Sequence, residues 1–166
     1  MEIGIIVHSL TGNTLSVAER LQERLTADGH EVEIERLQTI GEEKINEAKI
    51  ENVKLKIYPD PQANDLLIIA GPVRGASASA VLKHYFSEIG QLEGKPALLF
   101  VTQAFPFPWM GGNRALKQMA ALCEEHGADV IGKGVINWMN PRRERQIEDL
   151  MQQVSDMVAK QDRQLK

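Results

Sequence analysis

Short apolar runs alternate with stretches of helical period along this chain. Residues 3–7 are almost continuously apolar, the pattern of a strand buried on both faces. Residues 13–28 change to a helical period, with Val17, Ala18, Leu21 and Leu25 in one stripe and Leu15 at its edge. Glu19, Arg20, Glu23 and Arg24 fall elsewhere, and Gly29 is a natural helix stop. Residues 31–37 alternate polar and apolar, as an edge or near-edge strand does. Residues 65–70 and 96–101 are further buried runs, and residues 129–136 hold a last strand. Residues 77–89 read as a helix grouping Val81, Leu82, Tyr85, Phe86 and Ile89. Residues 113–126 read as another, with Leu116, Met119, Ala120 and Cys123 facing a core. Asn140-Pro141 predicts a helix start, N-cap followed by proline at the first helical position. Ile147, Leu150, Met151, Val154, Met157 and Val158 carry that last helix.

Buried strands separated by helices predict an α/β fold, a parallel sheet covered on both sides. Residues 38–64 are long for a loop and must contain a crossover. Within them, residues 53–57 alternate and predict an extra edge strand, its lysines discouraging edge pairing, and residues 41–49 predict a weak helix. One domain over residues 1–166 is expected from the length.

Composition narrows the partners. The chain is 43% hydrophobic and 25% charged, which excludes disordered and fibrous classes. A net charge of −4 gives no basic excess for nucleic acid. Cys123 stands alone, so neither an internal disulfide nor a cysteine-based metal site is expected, only a buried, inert thiol. The four histidines show no metal-ligand spacing. The first residues lack a basic leader, and no apolar run approaches the roughly 20 residues of a membrane span. A cytoplasmic protein with no membrane partner is the expectation.

The candidate chemistry lies where strands run into helices. After the first strand come His8, Ser9, Leu10, Thr11, Gly12, Asn13 and Thr14, with three hydroxyls, an amide and a glycine in six positions from Ser9. Such a loop can turn its N–H groups onto an anion at the positive end of a helix. It has no lysine, so it is not a nucleoside-triphosphate loop, and it suits a single phosphate monoester held by neutral donors. The bland alternative is an ordinary capped turn. His8 adjoins the loop and either tunes it or is structural.

Ser9-x-Thr11-Gly12-Asn13-Thr14 at the end of a first strand resembles the phosphate loop of the flavodoxin family, and the order of strands and helices resembles it over nearly the whole chain. The resemblance implies a flavodoxin-like α/β/α sandwich of three layers, doubly wound, strand order 2-1-3-4-5, of the short-chain form. It implies FMN as cofactor, with its phosphate on residues 9–14. It implies that the second loop, with Pro72, Val73, Arg74 and Gly75, lies against the isoalloxazine ring and offers a carbonyl near Arg74 and Gly75 to N5. Many relatives carry a stacking aromatic there. This chain has Arg74, which is equally a solvated surface arginine. The resemblance also places the third loop beside the ring, through Thr102, Gln103, Ala104, Phe105, Trp109 and Gly111. Three of the eight aromatics fall between Phe105 and Trp109, held extended by Pro106 and Pro108. Either at least one of them contacts the ring, or Phe105 and Phe107 plug the top of the sheet while Trp109 packs on a helix.

Two functions fit. One is an electron-transfer protein cycling the flavin between oxidised, semiquinone and hydroquinone states, with redox partner proteins. The other is an NAD(P)H-dependent FMN or quinone reductase. The mild net charge and the non-acidic third loop are unlike the carriers. Arg142, Arg143 and Arg145 form either a solvated face or a site for an anionic partner such as a pyridine-nucleotide phosphate. A monomer or weak homodimer is expected.

Overall fold

A computed structural model describes residues 1–41 and 53–166. Among the described residues six strands and four α-helices follow in the order β1 (Glu2–Val7), α1 (Asn13–Ala27), β2 (Glu31–Arg36), β3 (Leu66–Arg74), β4 (Ser77–Ala78), α2 (Ala80–Glu88), β5 (Pro96–Gln103), α3 (Gly112–Glu125), β6 (Asp129–Asn137) and α4 (Arg143–Leu165). The five main strands lie parallel in the order β2-β1-β3-β5-β6. Counting main strands alone, this is the 2-1-3-4-5 order expected for a doubly wound flavodoxin-like sandwich.

The three central strands read as continuous apolar runs because helices cover both faces. On one face Ile5, Val7, Ile68 and Phe100 pack against Val17 and Leu21 of α1 and Ile147, Leu150 and Val154 of α4. On the other, Ile6, Ile69, Leu99 and Val101 pack against Leu82, Tyr85 and Phe86 of α2 and Met119 and Cys123 of α3. β2 is an edge strand and exposes Glu31, Glu33 and Arg36, as its alternation predicts.

The structure departs from the sequence expectations in three places. Ser77 does not begin a helix. Ser77 and Ala78 form β4, which pairs antiparallel with the end of β3 through Arg74↔Ser77 and Val73↔Ala78. The two residues between, Gly75 (φ 53°) and Ala76 (φ 59°), are both left-handed, as a type I′ hairpin turn requires. α2 then starts at Ala80 on the Ser79 N-cap, whose Oγ accepts from Leu82 N at 3.2 Å. Asn140-Pro141 opens a turn and not the helix itself: Arg142 N donates to Asn140 Oδ1 at 2.8 Å, Arg143 N to Asn140 O, and α4 begins at Arg143. Residues 53–57 form no strand. A single antiparallel bridge, Thr39↔Leu55, is made, and Val53 and Leu55 are buried beside α2. The helix expected over residues 41–49 lies outside the described residues from residue 42 onward.

Candidate functional site

The carboxyl ends of β1, β3 and β5 bring the three predicted loops to one end of the sheet, where ligands bind in folds of this kind. The first loop is held from below. His8 N donates to Ala70 O at 3.0 Å, and Ser9 Oγ accepts from Leu15 N at 3.2 Å, tying the loop to α1. Gly12 has φ 89° and open space where a Cβ would stand. From Ser9 to Thr14 no backbone N–H finds an acceptor among the described residues, and neither the Thr11 hydroxyl nor the Asn13 amide has a partner there. Six successive unpaired donors at the start of a helix form an anion cradle.

Thr14 is 1% exposed, and its hydroxyl pairs with that of Thr102 at 2.7 Å. This bond ties the first loop to the end of β5. Next to Thr102, Gln103 is buried. Its Nε2 donates to Phe107 O at 2.5 Å and to Asn137 Oδ1 at 2.6 Å, while its Oε1 is buried without a partner. A buried acceptor left open calls for a donor.

Phe105 and Phe107 do not plug the sheet, and Trp109 is not buried on a helix. All three are exposed, Trp109 by 73%, and Phe107 and Trp109 stack with centroids 5.8 Å apart and planes 6° from parallel. Leu10 and Met139 are exposed at the same end. The loop is fixed to β6 by Trp138 N→Gln103 O, Met139 N→Ala104 O and Asn140 Nδ2→Pro106 O. Gly111 closes it at φ 123°. A Cβ there would stand 2.9 Å from Ala76 Cα, so only glycine lets the tip of the β3-β4 hairpin meet the third loop. Pro72, Val73 and Arg74 lie on the β3 arm of that hairpin, partly buried, and Gly75 is exposed at its tip.

One connection was not foreseen from the sequence. His8 is 6% exposed, and its Nδ1 lies 2.9 Å from Ser79 Oγ. Burial, then Arg36, then Arg74 lower its pKa to about 4. Only its place beside Ser9 marked it, because nothing local in the sequence pairs residues 71 positions apart. Cys123 is buried as expected, and burial pushes its thiol up to about 12. Among the described residues no cluster of histidine, cysteine or carboxylate side chains could hold a metal ion. None of their helices is long and apolar enough to cross a membrane.

The residues fit FMN. The cradle offers uncharged donors to a phosphate, Gln103 Oε1 is a buried acceptor seeking a donor, and flat aromatic faces lie open beside them.

Solved structures share this fold. A flavodoxin of Streptococcus pneumonia TIGR4 superposes with a TM-score of 0.67 at 17% identity, over 96% of this chain and 99% of that one. A flavoprotein of Lactobacillus acidophilus, solved in complex with FMN, gives 0.56 at 15% identity, over 81% of this chain and 92% of that one. An Archaeoglobus fulgidus NAD(P)H dehydrogenase (quinone) is 28% identical over 145 residues, 77% of this chain and 74% of the relative. The family model for NADPH-dependent FMN reductase matches residues 1–141, so the chain belongs to that flavodoxin-like, FMN-binding family.

Proposed function

We propose that this protein is an NAD(P)H-dependent reductase that uses bound FMN to reduce a quinone or a second flavin. The observation that carries the reading is the sign of charge around the site. Arg36, Arg74, Arg114, Arg142, Arg143 and Arg145 stand at the carboxyl ends of strands or at the starts of the helices that follow, against the carboxylates Glu35 and Glu144 on the same elements. A rim of arginines attracts a dinucleotide's phosphates, whereas carriers that dock on basic partners need an acidic rim. Family membership and the curated quinone dehydrogenase support the same choice.

In this reading residues 9–14 hold the phosphate, through the free N–H groups and the Thr11 and Asn13 side chains. Gln103 Oε1 accepts from the ring's polar edge, and the hairpin of Pro72, Val73, Arg74 and Gly75 lies along the ring. Ala104, Phe105, Trp109 and Gly111 shape the other wall, and Leu10 the rim beside the phosphate. When bound, the flavin supplies two-electron chemistry, taking hydride from the nicotinamide and passing reducing equivalents to the acceptor. The protein's share is to orient it, leave one face open and exclude competing positions.

The test is anaerobic addition of NADPH to the FMN-loaded protein. Rapid loss of flavin absorbance, restored by a quinone, is expected. A flavin untouched by NADPH and NADH but reduced by a separate reductase protein would replace this reading with the electron carrier.

A further inference from the structure

The reading above gives His8 no task, yet it is a buried imidazole with only one of its two nitrogens partnered. We propose that His8 is a neutral Nε2–H donor to the phosphate held by residues 9–14, locked in that tautomer by Ser79. The proposal rests on the flavin-binding reading.

The tautomer follows from proton bookkeeping. Ser79 Oγ accepts from Leu82 N at 3.2 Å as the N-cap of α2. Ser79 is 1% exposed, so its own hydroxyl proton needs a protein acceptor, and His8 Nδ1 at 2.9 Å is the one within reach. Nδ1 therefore accepts, and the imidazole proton sits on Nε2. Nε2 has no partner among the described residues and is not sealed, since the small exposed part of His8 includes it.

The surroundings keep the ring uncharged. Arg36 from β2 and Arg74 from β3 act on it, and the positive end of α2 lies at Ser79. With burial they hold its pKa near 4. The occupant follows from the neighbours. Ser9, the next residue, begins the run of unpaired N–H groups, so the free backbone nitrogens here are all donors. Converging donors select a group made of acceptors, and the flavin phosphate is one. His8 thereby extends the cradle by a donor from β1 without placing a cation against the phosphate.

The experiment is ¹⁵N NMR of the histidine side chains, with the His8 signals assigned by their loss in His8→Asn. In the wild-type apoprotein, Nε2 is expected protonated and Nδ1 unprotonated. FMN should move the Nε2 resonance and raise the His8 titration midpoint, because a phosphate anion favours the imidazolium. Inorganic phosphate should move it the same way, and riboflavin should leave it in place. In His8→Asn the preference for FMN over riboflavin should fall about tenfold, as for loss of one charge-assisted hydrogen bond. A protonated Nδ1, equal responses to FMN and riboflavin, or an unmoved His8 while flavin fluorescence reports binding would each overturn this inference alone. Failure of any flavin to bind would overturn it together with the reading beneath it.

Discussion

His8 in its neutral form has a consequence at low pH. In the unfolded chain it takes up a proton near the ordinary histidine value of 6.5, but in the folded chain only near 4. Between these values the unfolded state binds more protons, so stability rises with pH across the window and is lost as pH falls through it. The difference corresponds to about 3 kcal/mol for this group alone. Urea unfolding at pH 7 and pH 4.5 should therefore show a larger loss in the wild type than in His8→Asn, where that titration is removed. Equal losses in the two proteins would mean that His8 is not the group responsible. Thr14 and Thr102 illustrate a different limit at this scale. Each is a small polar residue at the end of a predicted element, and nothing in either segment reveals that the two hydroxyls meet across 88 positions.

At the scale of elements, the five main strands and four helices were legible because burial on both faces writes long apolar runs and helical stripes. What escaped was short or polar. β4 is two residues long and carries no hydrophobic period; its one cue was Gly75, where the structure makes a hairpin turn. Ala76 shares that turn with φ 59°, a conformation that costs a Cβ-bearing residue roughly 1–2 kcal/mol. Ala76→Gly should relieve it and raise the denaturation midpoint, provided the added freedom of the unfolded chain does not cancel the gain. A lowered midpoint would show that the alanine methyl packs usefully against Gly111. The third loop was legible through its composition, since clustered aromatics between prolines are not a core stripe. The stacked Phe107 and Trp109 faces should meet the flavin ring. FMN should then quench tryptophan fluorescence strongly, with Trp109→Ala removing most of the quenching. Trp138→Phe should leave it, because Trp138 is engaged by Arg143, whose guanidinium carbon lies 4.5 Å from its ring centre. The reverse result would move the ring away from the third loop.

Across the whole molecule, charge is distributed unevenly in a way the net value of −4 hides. Glu2, Glu31 and Asp129 open β1, β2 and β6, and Asp65 precedes β3. Arg36 and Arg74 close β2 and β3, and Arg114, Arg142, Arg143 and Arg145 follow at the same end. Lys95 before β5 adds a cation at the first end, and Glu35 and Glu144 are acids at the second, so arginines outnumber acids among these residues at the end that holds the site. A protein of mildly acidic total charge should in this way attract anionic substrates. The bimolecular rate of flavin reduction by NADPH should fall as salt is raised, by about tenfold or more once the screening length drops from roughly 30 Å to 3 Å. NADH, lacking the 2′-phosphate, should show a shallower slope, and reoxidation by an uncharged quinone should show almost none. Reversing the charge of two exposed rim positions, Arg36→Glu and Arg145→Glu, should flatten the NADPH slope while leaving the quinone rate within about twofold. A rate that rises with salt would mean that the field at the flavin is negative, and the arginine rim would lose its claim to steer the donor.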